Sequence, residues 1–190
     1  MMNIYRKVYS PIQVNTYIIS GSDDECIVVD CGCYGKAEEE SLERFLADRS
    51  LKPVLLLNTH CHLDHIFGNK FMLERYGLRT WFHRGDDSNH KHAPKHALMF
   101  GLKMDDPPEP EGFLADGQLI TAAGITFEVL AVPGHSPGGI SFYCETGSAV
   151  FTGDALFAGS IGRSDLPGGD HHQLMESIRN RLFTLPSETV

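Results

Sequence analysis

The stretch 58–69 reads NTHCHLDHIFGN, and His60, His62 and His65 stand with Asp64 inside six consecutive positions. Imidazole nitrogens and carboxylate oxygens are the ordinary ligands of zinc and iron. The apolar run just before them, KPVLLLNT at 52–59, reads as a buried strand. Residues i and i+2 of an extended segment point to the same side. His60 and His62 can therefore reach one ion as the chain leaves the strand, while Cys61 points to the opposite face. Asp64 and His65 lie past the strand end and can face the same cavity from another side.

The remaining donors are expected at other strand ends. VLAVPGHSPGG places His135 directly after a strand, in a Pro/Gly turn. AVFTGDALF places Asp154 after another, with Gly153 allowing close backbone approach. A strand-end Asp is by itself often only a turn or cap residue; beside the histidine cluster it becomes a candidate ligand. Arg163 and Asp165 follow in a Gly-rich loop that lacks the GxxxxGK[ST] pattern of phosphate binding. Asp165 is read as a carboxylate that receives a ligand histidine's other N–H, with plain loop structure as the alternative. His83, His90, His92, His96, His171 and His172 are the spare histidines. His171 and His172 read as exposed helix residues, and His90, His92 and His96 as a polar surface stretch whose alternative is a pocket rim.

These positions need a scaffold. VNTYIIS (14–20) and ECIVVD (25–30) read as strands joined by a turn, and KAEEESLERFLADRS (36–50) as a helix with Leu42, Phe45 and Leu46 on one face. A helix is expected from about His65 to Tyr76, then a strand RTWFH (79–83). Residues 86–104 are polar and then mixed, and 105–113 form a Pro-rich loop. ITFEVLAVP, GGISFYCE and SAVFTGDALF read as strands. DHHQLMESIRNRLFTL (170–185) reads as a helix capped by Asp170.

The bulk properties narrow the class. The chain has 190 residues, 42% hydrophobic and 22% charged, with a net charge of -9 and no Lys/Arg block. That balance disfavours nucleic acid and anionic membranes as partners. The N-terminal stretch shows no secretion signal and no apolar span, and five cysteines are too few for a disulfide scaffold. A cytoplasmic location with reduced thiols is expected.

THCHLDH, then PGHS, then GD, in this order and at strand ends, resembles the metallo-β-lactamase superfamily, and FTGDALFAGSIGRSDLPGGD resembles its glyoxalase II-like branch, the hydroxyacylglutathione hydrolases and their short relatives. The resemblance spans nearly the whole chain. It implies one domain over 1–190 with an αββα sandwich of two mixed β-sheets flanked by helices. It implies His60, His62 and His135 as ligands of one ion, Asp64 and His65 as ligands of a second, and Asp154 as the bridge. Arg163 and Asp165 would support them. Zinc is the expected metal, as one or two ions, with iron or a zinc/iron mixture as the alternative. The family's second site has a further histidine after a last strand; the sequence stops at Val190 before such a turn, and LPSETV reads as the lead-in to that strand.

A metal lowers the pKa of its bound water from about 15.7 toward about 7, so hydroxide is available at neutral pH to attack a carbonyl. The implied activity is hydrolysis of a small-molecule thioester of the hydroxyacylglutathione kind, with Asp64 orienting the nucleophile. Alternatives are a mononuclear iron persulfide dioxygenase using His60, His135 and Asp154, or a metal-binding scaffold without catalysis. The basic helical extension that grips glutathione in glyoxalase II is missing from this sequence, so a more open pocket is expected. Oligomeric state is left open.

Overall fold

The structure, a computed structural model, describes residues 2–190. One sheet runs in chain order through β1 (Asn3–Tyr9), β2 (Val14–Ser20), β3 (Glu25–Val29), β4 (Lys52–Leu57), β5 (Thr80–His83) and β6 (Gly112–Leu114). The first three strands are antiparallel neighbours, and β3 to β6 are parallel. Parallel neighbours need crossovers. These are α1 (Lys36–Asp48), the pair α2 (Leu63–Ile66) and α3 (Asn69–Tyr76), and α4 (Asp87–Met99). The second sheet has the order β10-β9-β8-β7, from β7 (Leu119–Ala122), β8 (Ile125–Ala131), β9 (Ile140–Cys144) and β10 (Ala149–Phe151). It is antiparallel throughout, because short connections without crossover helices join its strands. A small hairpin, β11 (Leu156–Phe157) and β12 (Ser160–Ile161), precedes α5 (His171–Ser177), which continues as a wider π-type turn over Ile178–Leu182. Asp170 Oδ1 caps α5 by accepting from Gln173 N at 2.9 Å.

Alternation along the strands builds the layers. Ile19, Ile27, Val29 and Leu57 face the second sheet and pack with Phe127, Val129, Phe142 and Phe151. Ile18, Val28 and Leu56 point the other way, onto Leu42, Phe45 and Leu46 of α1 and Met72 of α3. Leu130, Val132 and Tyr143 on the far side of the second sheet meet Leu174, Ile178 and Leu182. The order is helix, sheet, sheet, helix. Each fully buried Leu, Ile or Phe contributes about 1.5–3 kcal/mol by leaving water, so the sandwich rests on these three apolar layers.

The helix expected over 65–76 is two helices broken at Gly68. Gly68 N donates to Cys31 O at 2.8 Å, and a Cβ there would collide with Cys31 Sγ, so the chain bends where the backbones touch. The stretch 87–99, read as polar surface, is a helix despite Pro94 in its interior. It buries Asn89, His90, Ala93 and Ala97, which places His90 inside rather than on the surface. SAVFTGDALF is not one strand: it breaks after Phe151 into a turn that carries Asp154. At the end of the chain, Val190 exchanges backbone hydrogen bonds with Ser148 and Val150 on the β10 edge. Among the described residues no helix is long and apolar enough to cross a membrane.

The topology sets the site. β3, β4 and β5 run in one direction, so the segments after them emerge at one edge of the first sheet. β8 and β10, each antiparallel to β9, run in one direction in the second sheet. Ligands in open α/β sheets collect beyond such carboxyl ends.

Candidate metal centre

His60, His62 and His135 each offer a ring nitrogen within 4.8 Å of the others; His60, His65 and Asp154 form a second such group. His135 Nε2 lies 2.9 Å from His62 Nδ1 and 3.1 Å from His60 Nε2. Asp154 spans the two groups: Oδ1 is 3.3 Å from His65 Nε2 and Oδ2 is 3.6 Å from His135 Nε2. Asp64 stands slightly outside the tight group, with Oδ2 3.7 Å from His65 Nε2. Gly153 makes this convergence possible. Its φ is 52°, and a Cβ there would strike Thr59 Oγ1, so the turn before Asp154 lies against the segment before His60.

The outer nitrogens fix the tautomers. His135 Nδ1–H donates to Arg163 O at 2.7 Å, leaving Nε2 with its lone pair toward the cluster. Thr59 Oγ1–H donates to Asp30 Oδ2 at 2.7 Å and accepts from His60 Nδ1–H at 3.1 Å, which again leaves Nε2 free. His65 Nδ1 is 3.0 Å from Asp30 Oδ2. The angle is poor, and neither buried nitrogen of His65 has a well-aligned hydrogen-bond partner. A buried ring with its Nε2 unsatisfied beside two carboxylates fits a cation between them, and the three convergent lone pairs fit a divalent metal.

The charges agree with that fit. Burial, helped by His65, His62 and His135, pushes the His60 pKa far below its ordinary value, and burial with His135 pushes His62 down to about 3. Both are neutral imidazoles at neutral pH. Burial disfavours charge on His65, but Asp30, Asp154 and Asp64 outweigh it and hold its pKa well up. Burial would raise Asp154; His65, then His135 and His62, overturn this and hold it at about 2. Burial raises Asp64, with His65 opposing.

A pH dependence follows for the metal-free protein. His62 titrates near 6.5 when unfolded and about 3 when folded, so below 6.5 the unfolded state binds a proton the folded state refuses. Its contribution to stability falls as pH drops from 6.5 toward 3. His65, whose folded pKa is raised, contributes fully below 6.5 and loses stability only as pH rises through its folded pKa. Asp64, raised by burial, gains from acid. With chelator present, thermal melts at about pH 7 and about pH 5 bracket the His62 window. The drop in Tm should be smaller in His62→Asn; an equal drop in both proteins would contradict the assignment.

Two carboxylates that hold this centre together were not picked out in the sequence. Asp30, just after β3, accepts from Thr59 N at 2.8 Å and Thr59 Oγ1 and stands against His65. Asp86, after β5, accepts from Cys61 N at 2.6 Å and Gly138 N at 2.7 Å, which joins the His60–His62 segment to the turn after His135. Both are buried. The available signal was an Asp closing an apolar strand in ECIVVD, and another soon after RTWFH. Asp165, to which such a role was given, does not reach a histidine. It is exposed and pairs with Arg163 at 2.7 and 2.9 Å, while Arg163 meets His135 through its backbone carbonyl. Cys61 packs with Leu63, Ile66 and Phe82, away from the donors, and its thiol is pushed far up by burial and Asp86.

A pocket of about 230 Å³ opens above the donors, bounded by His62, Asp64, His135 and Asp154 and by Ile12, Met99, Phe100 and Leu166. His96 lies on its wall; His92 bonds Ser88 O on the outside of α4, and His171 and His172 are exposed. A larger groove of about 880 Å³, between Tyr34, Phe67, Lys70 and Lys95, contains none of the convergent donors.

Neutral imidazoles and an ionised carboxylate held this close, at the rim where two stacked sheets end, place the molecule among the metal-dependent hydrolases. Comparison with known proteins gives the family. The chain belongs to the metallo-beta-lactamase superfamily, which it matches over residues 9–190. It is 33% identical over 191 residues to the hydroxyacylglutathione hydrolase GloC of Haemophilus influenzae, covering 100% of this chain and 88% of that protein. Among solved structures, BLEG-1 B3 metallo-beta-lactamase superposes with a TM-score of 0.87 at 31% identity, covering 100% of this chain and 88% of that one. TTHA1623, solved in a di-iron-bound form, superposes with a TM-score of 0.84 at 35% identity, covering 96% and 87%.

Proposed function

We propose that this chain hydrolyses a small-molecule thioester of the 2-hydroxyacyl kind. The carrying observation is the pair of donor groups, joined at His60 and spanned by Asp154, on the floor of the pocket. His60, His62 and His135 would hold one ion; Asp64 and His65, with Asp154 shared, would hold a second, weaker one, since that position has one nitrogen donor against three. A bound divalent ion supplies a Lewis acid and a water acidic enough to react at neutral pH. Zinc suits this donor set, and iron suits it equally; the di-iron form of TTHA1623 supports the second option.

The residues do the rest. Water adds to the carbonyl carbon, the C–S bond breaks, and sulfur departs with the bonding pair and takes a proton, giving a carboxylic acid and a thiol. Asp64, facing the pocket, orients the water and accepts its proton at Oδ2. Asp154, ionised down to about pH 2, presents a charged carboxylate to the cations it would share. Asp30 and Thr59 hold the rings in place, so little reorganisation is needed as charge develops. The GloC similarity supports the hydrolase reading. A mononuclear dioxygenase needs only His60, His135 and Asp154, and the convergence of His62 and His65 beside them favours hydrolysis. We place the activity in the cytoplasm with no membrane or nucleic-acid partner, a reading supported by five free, buried thiols and the net charge of -9.

Thiol release from a 2-hydroxyacyl thioester, measured on chelated, zinc-loaded and iron-loaded protein beside metal content per chain, tests this. Turnover should vanish with chelator and return with metal. A fully loaded protein that releases no thiol would end the proposal.

A further inference from the structure

Most large exposed apolar side chains of this protein are scattered, but Ile12, Met99 and Phe100 meet at one place, the mouth of the metal-site pocket. They are 44%, 78% and 55% exposed, so each presents a large apolar surface to water. They come from unrelated segments: Ile12 from the turn between β1 and β2, Met99 and Phe100 from the end of α4. Leu166, from the loop after β12, completes the wall. Apolar surface gathered from three segments around a polar floor is the ordinary form of a ligand pocket, not of a solvated loop.

The charges around this wall are as informative. Among the described residues Arg163 is the only Lys or Arg on it, and its guanidinium is already held by both oxygens of Asp165. The same wall carries the carboxylates of Asp64 and Asp154. With those two carboxylates committed to the metal they would hold, a substrate arm bearing free carboxylates finds no uncommitted cation on this wall among the described residues. An uncharged arm meets only apolar surface, with Asn89 and His96 as neutral polar points.

We infer that this pocket selects a thioester with an uncharged, apolar arm, gripped by Ile12, Met99, Phe100 and Leu166, over one whose arm carries carboxylates. The inference rests on the thioester-hydrolase reading for the reaction, and on the wall alone for the selectivity.

The test uses the zinc-loaded full chain. 2-Hydroxyhexanoyl thioesters of N-acetylcysteamine, which is uncharged, and of glutathione, which carries two carboxylates, are compared by kcat/KM. The uncharged thioester should be favoured by about tenfold or more, the scale of discrimination a hydrophobic pocket provides. Met99→Ser and Phe100→Ser, at exposed positions where folding is safe, should shrink that ratio severalfold, mainly by raising KM for the uncharged thioester. Equal rates, a preference for glutathione, or a ratio unmoved by both substitutions would overturn the inference. Binding of the two matching S-hexyl thioethers, which cannot be hydrolysed, is read by calorimetry on the same proteins. If neither thioester turns over, the reaction assignment fails, yet tighter binding of the uncharged thioether, weakened in Phe100→Ser, still supports the selectivity. Equal or tighter binding of the glutathione thioether overturns it.

Discussion

His135→Ala should abolish metal binding at the first position and lower kcat/KM by about 10³-fold or more, because an ion at such a centre stabilises the transition state by several kcal/mol. The reason lies in where His135 sits. Its Nε2 is the one atom within about hydrogen-bond distance of both His60 and His62, and it is also the nitrogen beside Asp154. Removing it opens the first donor group and leaves the shared carboxylate with His60 and His65 alone among the grouped donors. Metal content by elemental analysis and thiol release should fall together. Unchanged metal content in a folded variant would remove His135 from the ligand set. His171→Ala, at an exposed position remote from the donors, serves as the control and should leave both readings as they were.

The second large effect is on the frame. Asp86→Ala should destabilise the fold by about 2–5 kcal/mol, since two buried backbone N–H groups lose a charged acceptor at once. These are Cys61 N and Gly138 N, and they lie in loops that follow strands of different sheets. The loss should appear as a lower urea midpoint in the metal-free protein. The donors of the two sheets would then no longer be held in register, so metal affinity should fall as well. Asp86→Asn keeps one oxygen but turns an amide N–H₂ toward one of the donors, so it should lie between wild type and Asp86→Ala. A midpoint unchanged in Asp86→Ala would mean that the backbone groups find other partners.

How much of this was legible beforehand depended on the kind of signal. The candidate donors were readable because HCHLDH concentrates rare donor types in a short span, and because His135 and Asp154 each follow an apolar run. Which donors meet was implied by the family resemblance and not by the residue pattern, since it depends on β8 and β10 running the same way in a sheet whose strand order periodicity does not reveal. α4 was missed for a local reason: Pro94 and three histidines hide the apolar spacing of Ala93 and Ala97, and the helix is held by contacts with Cys61, Leu63 and Phe82 rather than by its own propensity. Asp30 and Asp86 were passed over because a lone Asp at a strand end is ordinary. Only the parallel alignment of β3, β4 and β5 makes those two carboxylates neighbours of the histidines between them. Asp165 follows the alternative given with it, plain loop structure: it is exposed and pairs with Arg163.

The donors sit after strand ends, locked by buried carboxylates, whereas Ile12, Met99, Phe100 and Leu166 sit on a turn, a helix end and a loop elsewhere in the chain. Reactivity and molecular choice are thereby written into different stretches of the chain. The turn between β1 and β2, the end of α4 and the loop after β12 can change composition without replacing a donor, so long as that loop keeps the Arg163 carbonyl on His135 Nδ1–H. A lineage built on this plan can exchange one substrate for another through small surface changes while its chemistry stays constant, and a laboratory redesign would begin at the same three segments.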